Sequence, residues 1–382
     1  MARIDLLQLS VPVLLALPAL AQTFVVDRNN GPGTNYTAIE AAFAAVPNGA
    51  TVLVRPGAYT PLGDPAIVGK SVTVLCEPGV ELLLAPGRVV AVNGLGATQQ
   101  VVLRGMGLRS THAVGIGTLR CIGNQGRILV DDVSGGAGQA SLVAVNCDWL
   151  AVSGSSFVAG VECTDSRSVF EDCLLSNTAD STLVLVRGEA QLTDTQVYGA
   201  IGFGGLPAGG AVELVQADLR VLGDSSIEGR PVLGTNLIGV AFVGSGTLRL
   251  DPAVNVVGAL PLIPATIAAS TVAMPHVTTV GGALGSNATA ALHGPIGHLG
   301  ILGVGLPGPV VPVPGSPDPA FWLPTPTFVQ AIGSPAIGQP LTAVTAIPNS
   351  TTLRGTALIW HGFTYDPSVG LQTSNPSFLV LE

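Results

Sequence analysis

Apolar residues in this chain fall into short runs of period two, broken at close intervals by Gly, Pro, Asn and Asp. One stretch departs from that pattern. In "TAIEAAFAAV", Ile39, Ala42, Phe43 and Val46 recur at i, i+3, i+4 and i+7, which marks one apolar face of a helix. Thr37 with Glu40 three residues later predicts a capping box, and Pro47-Asn48-Gly49 stops the element. A lone amphipathic helix ahead of a long β region suits a lid over an open apolar end.

The β region repeats. Apolar residues five apart occur as Leu103/Leu108, Ile128/Val133, Val152/Phe157, Phe170/Leu175, Leu192/Val197 and Leu222/Ile227, at intervals of 25, 24, 18, 22 and 30 residues. Each pair is followed by a polar or Gly-rich turn and a second short strand, such as "SLVAVNC" or "STLVLVRG". Irregular repeats of strands and turns are the mark of a solenoid. With no helix between the strands, the spacing predicts a parallel β-helix over residues 24–258. Successive coils then stack at roughly 4.8 Å and align like residues in ladders. Near residue 260 the Pro density rises, and "PLTAVTAIPNSTTLRGTALIWHGFTYD" and "SNPSFLVLE" alternate as paired strands. Residues 260–382 are expected to form a small C-terminal β-sandwich-like domain, placed to cover the second end of the solenoid.

Composition narrows the classes. Fifty Gly and 29 Pro exclude a mainly helical protein, and 47% hydrophobic residues exclude a disordered one. A net charge of −9 with few Lys excludes a nucleic-acid partner. Residues 1–21 have the features of a secretory signal: Arg3, the apolar "LLQLSVPVLLALPALA", and Ala19-Leu20-Ala21 before Gln22. Pro12 and Pro18 interrupt the stretch and it is short for a span, so no membrane span is expected after cleavage. The expected location is secreted or at the cell surface. Of the five Cys, export permits bridges among Cys147, Cys163 and Cys173, while the simpler reading is that each fills a small buried space.

The stretch "DRNNGPGTNYTAIEAAFAAVPNGATVLVRPGAYTPLGDPAIVGKSVTVLCEPGVELL" resembles the first coil of pectin-esterase-like and pectin-lyase-like right-handed parallel β-helix proteins. The matching residues are Pro47, Gly49, Val52, Val54, Pro56, Gly57, Tyr59, Lys70, Ser71, Val72 and Thr73. The resemblance implies an all-β, right-handed solenoid with a capping helix. The Gln-Asp-Thr and Asp-Phe-Ile-Phe-Gly runs of those esterases are absent from the middle coils, as are pectate-lyase and polygalacturonase signatures. It therefore implies architecture rather than inherited chemistry. The C-terminal part, through Gly281-Gly282, "LGSNATAAL", "GPIG", "IPNSTTLRG", "IWHGFTYD" and Ser374-Asn375, resembles a β-domain that ends many exported planctomycete proteins. That likeness suggests surface retention or sorting.

Two residues past the first apolar of each pair stand Asp172, Asp194 and Asp224 in three successive coils. Stacked carboxylates raise one pKa or recruit a cation, and oxygen ligands at a turn suit Ca²⁺. Asp172 and Asp194 are also the candidates for a catalytic carboxylate pair. Equally, Asp tolerates left-handed turns and needs no ligand there. Asp131-Asp132 form a second acidic turn. Arg104, Arg109, Arg120 and Arg127 fall in the first full coils, and a bidentate guanidinium captures a carboxylate, so Arg104, Arg109 and Arg127 are expected to dock an acidic sugar. Their alternative is a scattered solvated face. His293 and His298 lack a nearby carboxylate, and Trp149, Trp322 and Trp360 suit packing more than sugar stacking.

Two functional readings stay open. One is a monomeric carbohydrate-binding or surface-adhesive protein with a polysaccharide or cell-surface glycan as partner and no cofactor beyond Ca²⁺. The other is a divergent lyase or esterase acting on an acidic polysaccharide.

Overall fold

The computed structural model describes residues 22–110, 119–136, 141–177, 180–200, 209–230, 238–308, 328–336 and 339–382; residues 1–21, expected to form a secretory signal, and Trp322 lie outside them. The chain winds into a parallel β-solenoid of about nine turns. Each turn contributes to three ladders, here called front, back and side. The front ladder starts at Thr23–Val26 and Ala50–Val54 and ends at Ile267–Thr271. The back ladder starts at Ala66–Val68 and Val90–Asn93, and the side ladder runs from Gly57–Tyr59 to Asn255–Val257.

Alternation in each strand sends every second residue inward, where like residues stack. The inner front row is Val52, Val74, Leu103, Val130, Val152, Phe170, Leu192, Val221 and Leu250. The register corrects the sequence repeat at two coils. Val130 and Gly135 occupy the places expected for Ile128 and Val133, and Val221 the place expected for Leu222. Gly135 hid the pattern for a physical reason. A Cβ there would lie 2.8 Å from the Phe157 ring, which fills that space from the next coil. Cys121, Cys147, Cys163 and Cys173 are buried and all five thiols are free, so they act as fillers and no bridge joins Cys147, Cys163 and Cys173.

The N-terminal lid forms as the periodicity predicts. Helix α1 spans Ile39–Ala45 and buries Ile39, Ala42 and Phe43 on the solenoid end. The capping box does not form. The cap residue is Ala38, with no side-chain cap bond, and the Glu40 carboxylate accepts the Leu62 N–H at 3.0 Å instead. The other end is held by Lys70, whose Nζ donates to the carbonyls of Ala44 at 3.0 Å and Val46 at 2.7 Å, groups that no helical N–H reaches. Gly49 then turns the chain at φ +83°.

Tyr59 is buried, and its hydroxyl donates to the Arg55 carbonyl at 2.9 Å and approaches that of Val26 at 3.3 Å, tying the Pro56-Gly57 turn to the preceding strand. Tyr59→Phe is expected to cost about 1 kcal/mol in urea unfolding, one net hydrogen bond; an unchanged midpoint would show that the turn holds itself.

The C-terminal domain is antiparallel. One sheet joins His276–Val280, Asn287–His293 and Leu341–Ala346. The other joins Leu299–Gly305, Phe328–Gly333, Ala357–Asp366, Gly370–Thr373 and Ser377–Val380. Trp360 is fully buried between them and donates Nε1–H to Gln330 Oε1 at 2.9 Å. Two expectations change here. The last solenoid strand, Ile267–Thr271, lies beyond the boundary placed at 258. The domain also lies along the front face rather than over the far end, where Ala268–Thr271 stay exposed.

Candidate functional site

The covered front face is where the chain's unusual chemistry collects. Outward residues there run in two rows. In the earlier coils they are apolar, and Leu53, Leu75, Val102, Leu129 and Ala151 pack against Ala357, Ile359, Phe378 and Val380 of the C-terminal domain. The row of Leu53 and Leu75 turns polar first, continuing as Arg104, Asp131, Ser153, Glu171 and Thr193, and the row of Val102, Leu129 and Ala151 turns polar later, at Gln191, Arg220 and Arg249.

Arg104 binds Asp131, Glu382 and the Val380 carbonyl, fastening the last strand to the solenoid. Burial pushes the Asp131 carboxyl up to about 6, against the pull of the Arg104 guanidinium. Glu171 is buried at 6% exposure. Ser377 Oγ donates to its Oε1, and Thr279 Oγ1 lies 2.7 Å behind Ser377 to complete the chain. Among the described residues its Oε2 has no partner. Burial holds Glu171 well above the ordinary carboxylate range, with the Ser377 bond opposing and Asp194, Asp172 and Asp131 adding to the rise. An ionised oxygen buried without a donor is penalised more than a neutral one, which favours the acid form.

At the rim lies the turn that follows each front strand. Its left-handed position is held by Gly105, Asp132, Gly154, Asp172, Asp194 and Gly223, at φ between +50° and +73°. This is the turn role open to Asp, whose short polar side chain tolerates positive φ. Asp172 and Asp194 thus line up one coil step apart, roughly 4.8 Å between backbones. Asp224 falls one residue off the line, and its N–H donates to Asp194 Oδ1 at 2.8 Å. Gly223 takes the line position because a Cβ would sit 2.2 Å from that carboxylate oxygen. Burial and then Asp194 raise the Asp172 carboxyl. Two aligned carboxylates fall short of the six to eight oxygens of a Ca²⁺ shell. Among the described residues, no three His, Cys, Asp or Glu side chains converge as a metal centre requires.

Against the same rim, His276 and His293 stack in parallel with centroids 4.6 Å apart. Burial lowers both, the neighbouring ring lowers His276 further, and Asp194, Asp224 and, for His276, Asp251 oppose this.

The four arginines do not form one cluster. Arg104 is committed to the domain contact. Arg109 stands exposed on the side ladder and pairs with Glu81 at 3.0 Å. Arg120 is exposed on the back ladder, and Arg127 is half-buried on the front ladder, its Nε without a partner. Sequence reasoning missed Glu171, Ser377 and the His276–His293 pair. A signal existed for the covered face though not for these residues: "VVL", "ILV" and "LAV" are apolar without alternation, which marks strands buried on both faces.

These features define a class by architecture, a parallel β-helix carrying a small antiparallel β-domain. The chain matches no protein-family model and no curated protein. Among solved structures it is similar to a pectin methylesterase in complex with a hexasaccharide, at 15% identity and TM-score 0.29, over 68% of this chain and 83% of that one. It is also similar to tailspike protein 2 of Escherichia coli O157:H7 bacteriophage CAB120, at 10% identity and TM-score 0.36, over 88% and 65%. The Aspergillus niger pectin methylesterase follows at 14% identity and TM-score 0.22, over 66% and 86%.

Proposed function

We propose that this protein is a secreted or cell-surface β-helix scaffold with a carbohydrate-binding or adhesive role, and that it does not carry out pectin-type catalysis. One observation carries the reading: Arg104, Asp131 and Glu171, three charged groups of one outward row of the long front face, are spent in seating the C-terminal domain. An elongated polymer has no access to that face in this arrangement. The exposed side and back ladders remain for contact with a glycan.

A second reading is favoured by one feature. Asp172 and Asp194 sit at the rim, aligned, and burial and then Asp194 raise the Asp172 carboxyl. Both readings meet in one experiment. The full chain is incubated with pectin, alginate and other uronic polymers, followed by absorbance of unsaturated products and by methanol release, and is applied in parallel to a glycan array. Array binding without turnover is the expected result. Turnover that Asp172→Asn or Asp194→Asn abolishes would establish the enzyme instead, and silence in both assays would remove the glycan from the proposal.

A further inference from the structure

The back ladder leaves a sheet face whose outward residues from Arg120 onward are half-buried or exposed, while Ala91 before them is buried at 6% exposure. One outward row reads Arg120, Val143, Glu162, Val184 and Glu213 in successive coils. Beside it run Ile122, Val145, Thr164, Val186 and Val215. Arg120 and Glu162 are exposed, and the valines between them are only half-buried by their neighbours in the sheet. At the two ends, Val68 is 60% exposed and Val215 37%. β-branched residues in a row on an open parallel sheet are unusual, because parallel sheets are normally covered on both faces.

The order of charges indicates the cover. Arg120 and Glu162 stand one coil to either side of Val143, so they lie two coil steps apart, roughly 10 Å, too far to pair with each other. A two-fold axis along the strand through Val143 and Val145 would reverse the coil order of a second copy while keeping each row opposite itself. Arg120 then faces Glu162 of the second copy, and the reverse pair forms by symmetry. Val143 and Val145 meet their own counterparts on the axis, and Val68 meets Val215. The alternative axis through Glu162 sets like charges against each other.

We propose that this face is an isologous interface through which two copies of the chain associate with their solenoids antiparallel. Seven coils by two rows cover roughly 450 Å² per copy, below the roughly 800 Å² of a standard interface, so the dimer is a weak one that forms at high local concentration.

Sedimentation velocity of the full chain from about 10 to about 500 µM tests it. The expected result is a weight-average coefficient that climbs toward a dimer. Val145→Asp, which sets two carboxylates together on the axis, holds the protein monomeric throughout while its melting temperature stays within a few degrees of the parent. Arg120→Glu weakens association at least about ten-fold, and adding Glu162→Arg to it restores the parent value, because both pairs re-form with exchanged sign. A parent chain that stays monomeric at the highest concentration overturns the proposal. So does a charge-exchanged double variant no better than Arg120→Glu alone.

Discussion

Phe378→Ala is expected to cost about 3 kcal/mol and to loosen the C-terminal domain from the solenoid before either part unfolds. The ring is 3% exposed and belongs to a small apolar cluster formed jointly with Leu75, Val102, Leu129 and Ala151. Those partners stand on stiff stacked strands, so they cannot collapse into the space a truncated ring leaves, and the cavity cost adds to the transfer cost. Ala357, Ile359 and Val380 supply the rest of the apolar contact, and the remaining seating is polar. It consists of Arg104 with Asp131 and Glu382, and of Ser377 with Glu171, and these contacts are at the polar end of the interface.

The measurement is urea unfolding followed by tryptophan fluorescence, since Trp149 reports the solenoid and Trp360 the C-terminal domain. The variant should show an early transition in Trp360 and new proteolytic cuts in the 272–276 connection. A single transition shifted by less than about 1 kcal/mol would mean that the domain is held by its covalent link and polar contacts alone.

How much of this was written in the sequence differs by level. The coils could be read because their inner rows repeat, and the lid because Ile39, Ala42, Phe43 and Val46 share one face. The first-coil residues Pro47, Gly49, Tyr59 and Lys70 turned out to be structural fasteners, as the helix end and the Tyr59 hydroxyl show. The Asp line was half legible. Counting from Leu222 instead of Val221 shifted one coil by a residue and brought in Asp224, which lies off the line. A single-residue slip moves a side chain to the opposite sheet face, so ladder arguments are only as good as each register.

The covered face was the least legible. Its partners lie far apart in the chain, Glu171 from Ser377 by 206 residues and Arg104 from Glu382 by 278. No local pattern encodes such a pairing. Only the unalternating strands "VVL", "ILV" and "LAV" hinted at it.

The second large effect concerns the same interface and depends on pH. Glu171 has its folded-state pKa raised, chiefly by burial, so the stability it lends as a neutral acid is complete below its unfolded value of about 4.3 and is lost as pH rises through the folded value. Asp131 runs the same way, its stabilisation fading between about pH 4 and its raised value of about 6. His276 runs oppositely. Its pKa is lowered by burial and by His293, so its contribution is present above about 6.5 and is lost as pH falls. Seating of the domain is therefore squeezed from both sides.

Glu171→Gln separates the two limbs. The amide copies the neutral acid: Oε1 still accepts from Ser377, and Nε2 stands where the acid proton would be. It carries no charge to repel Asp131, Asp172 and Asp194. At pH 8 the variant should be more stable than the parent by about 2 kcal/mol, because only the parent's unfolded chain gains by ionising this group, and at pH 4, where both side chains are neutral in the fold, the two should coincide. His276→Asn should instead relieve the loss on the acid side and leave pH 8 unchanged. Unfolding curves at pH 4, 6 and 8 decide the matter. If Glu171→Gln is the less stable protein at pH 8, the carboxylate is ionised and held in place there, and the seating of this domain owes nothing to a buried proton.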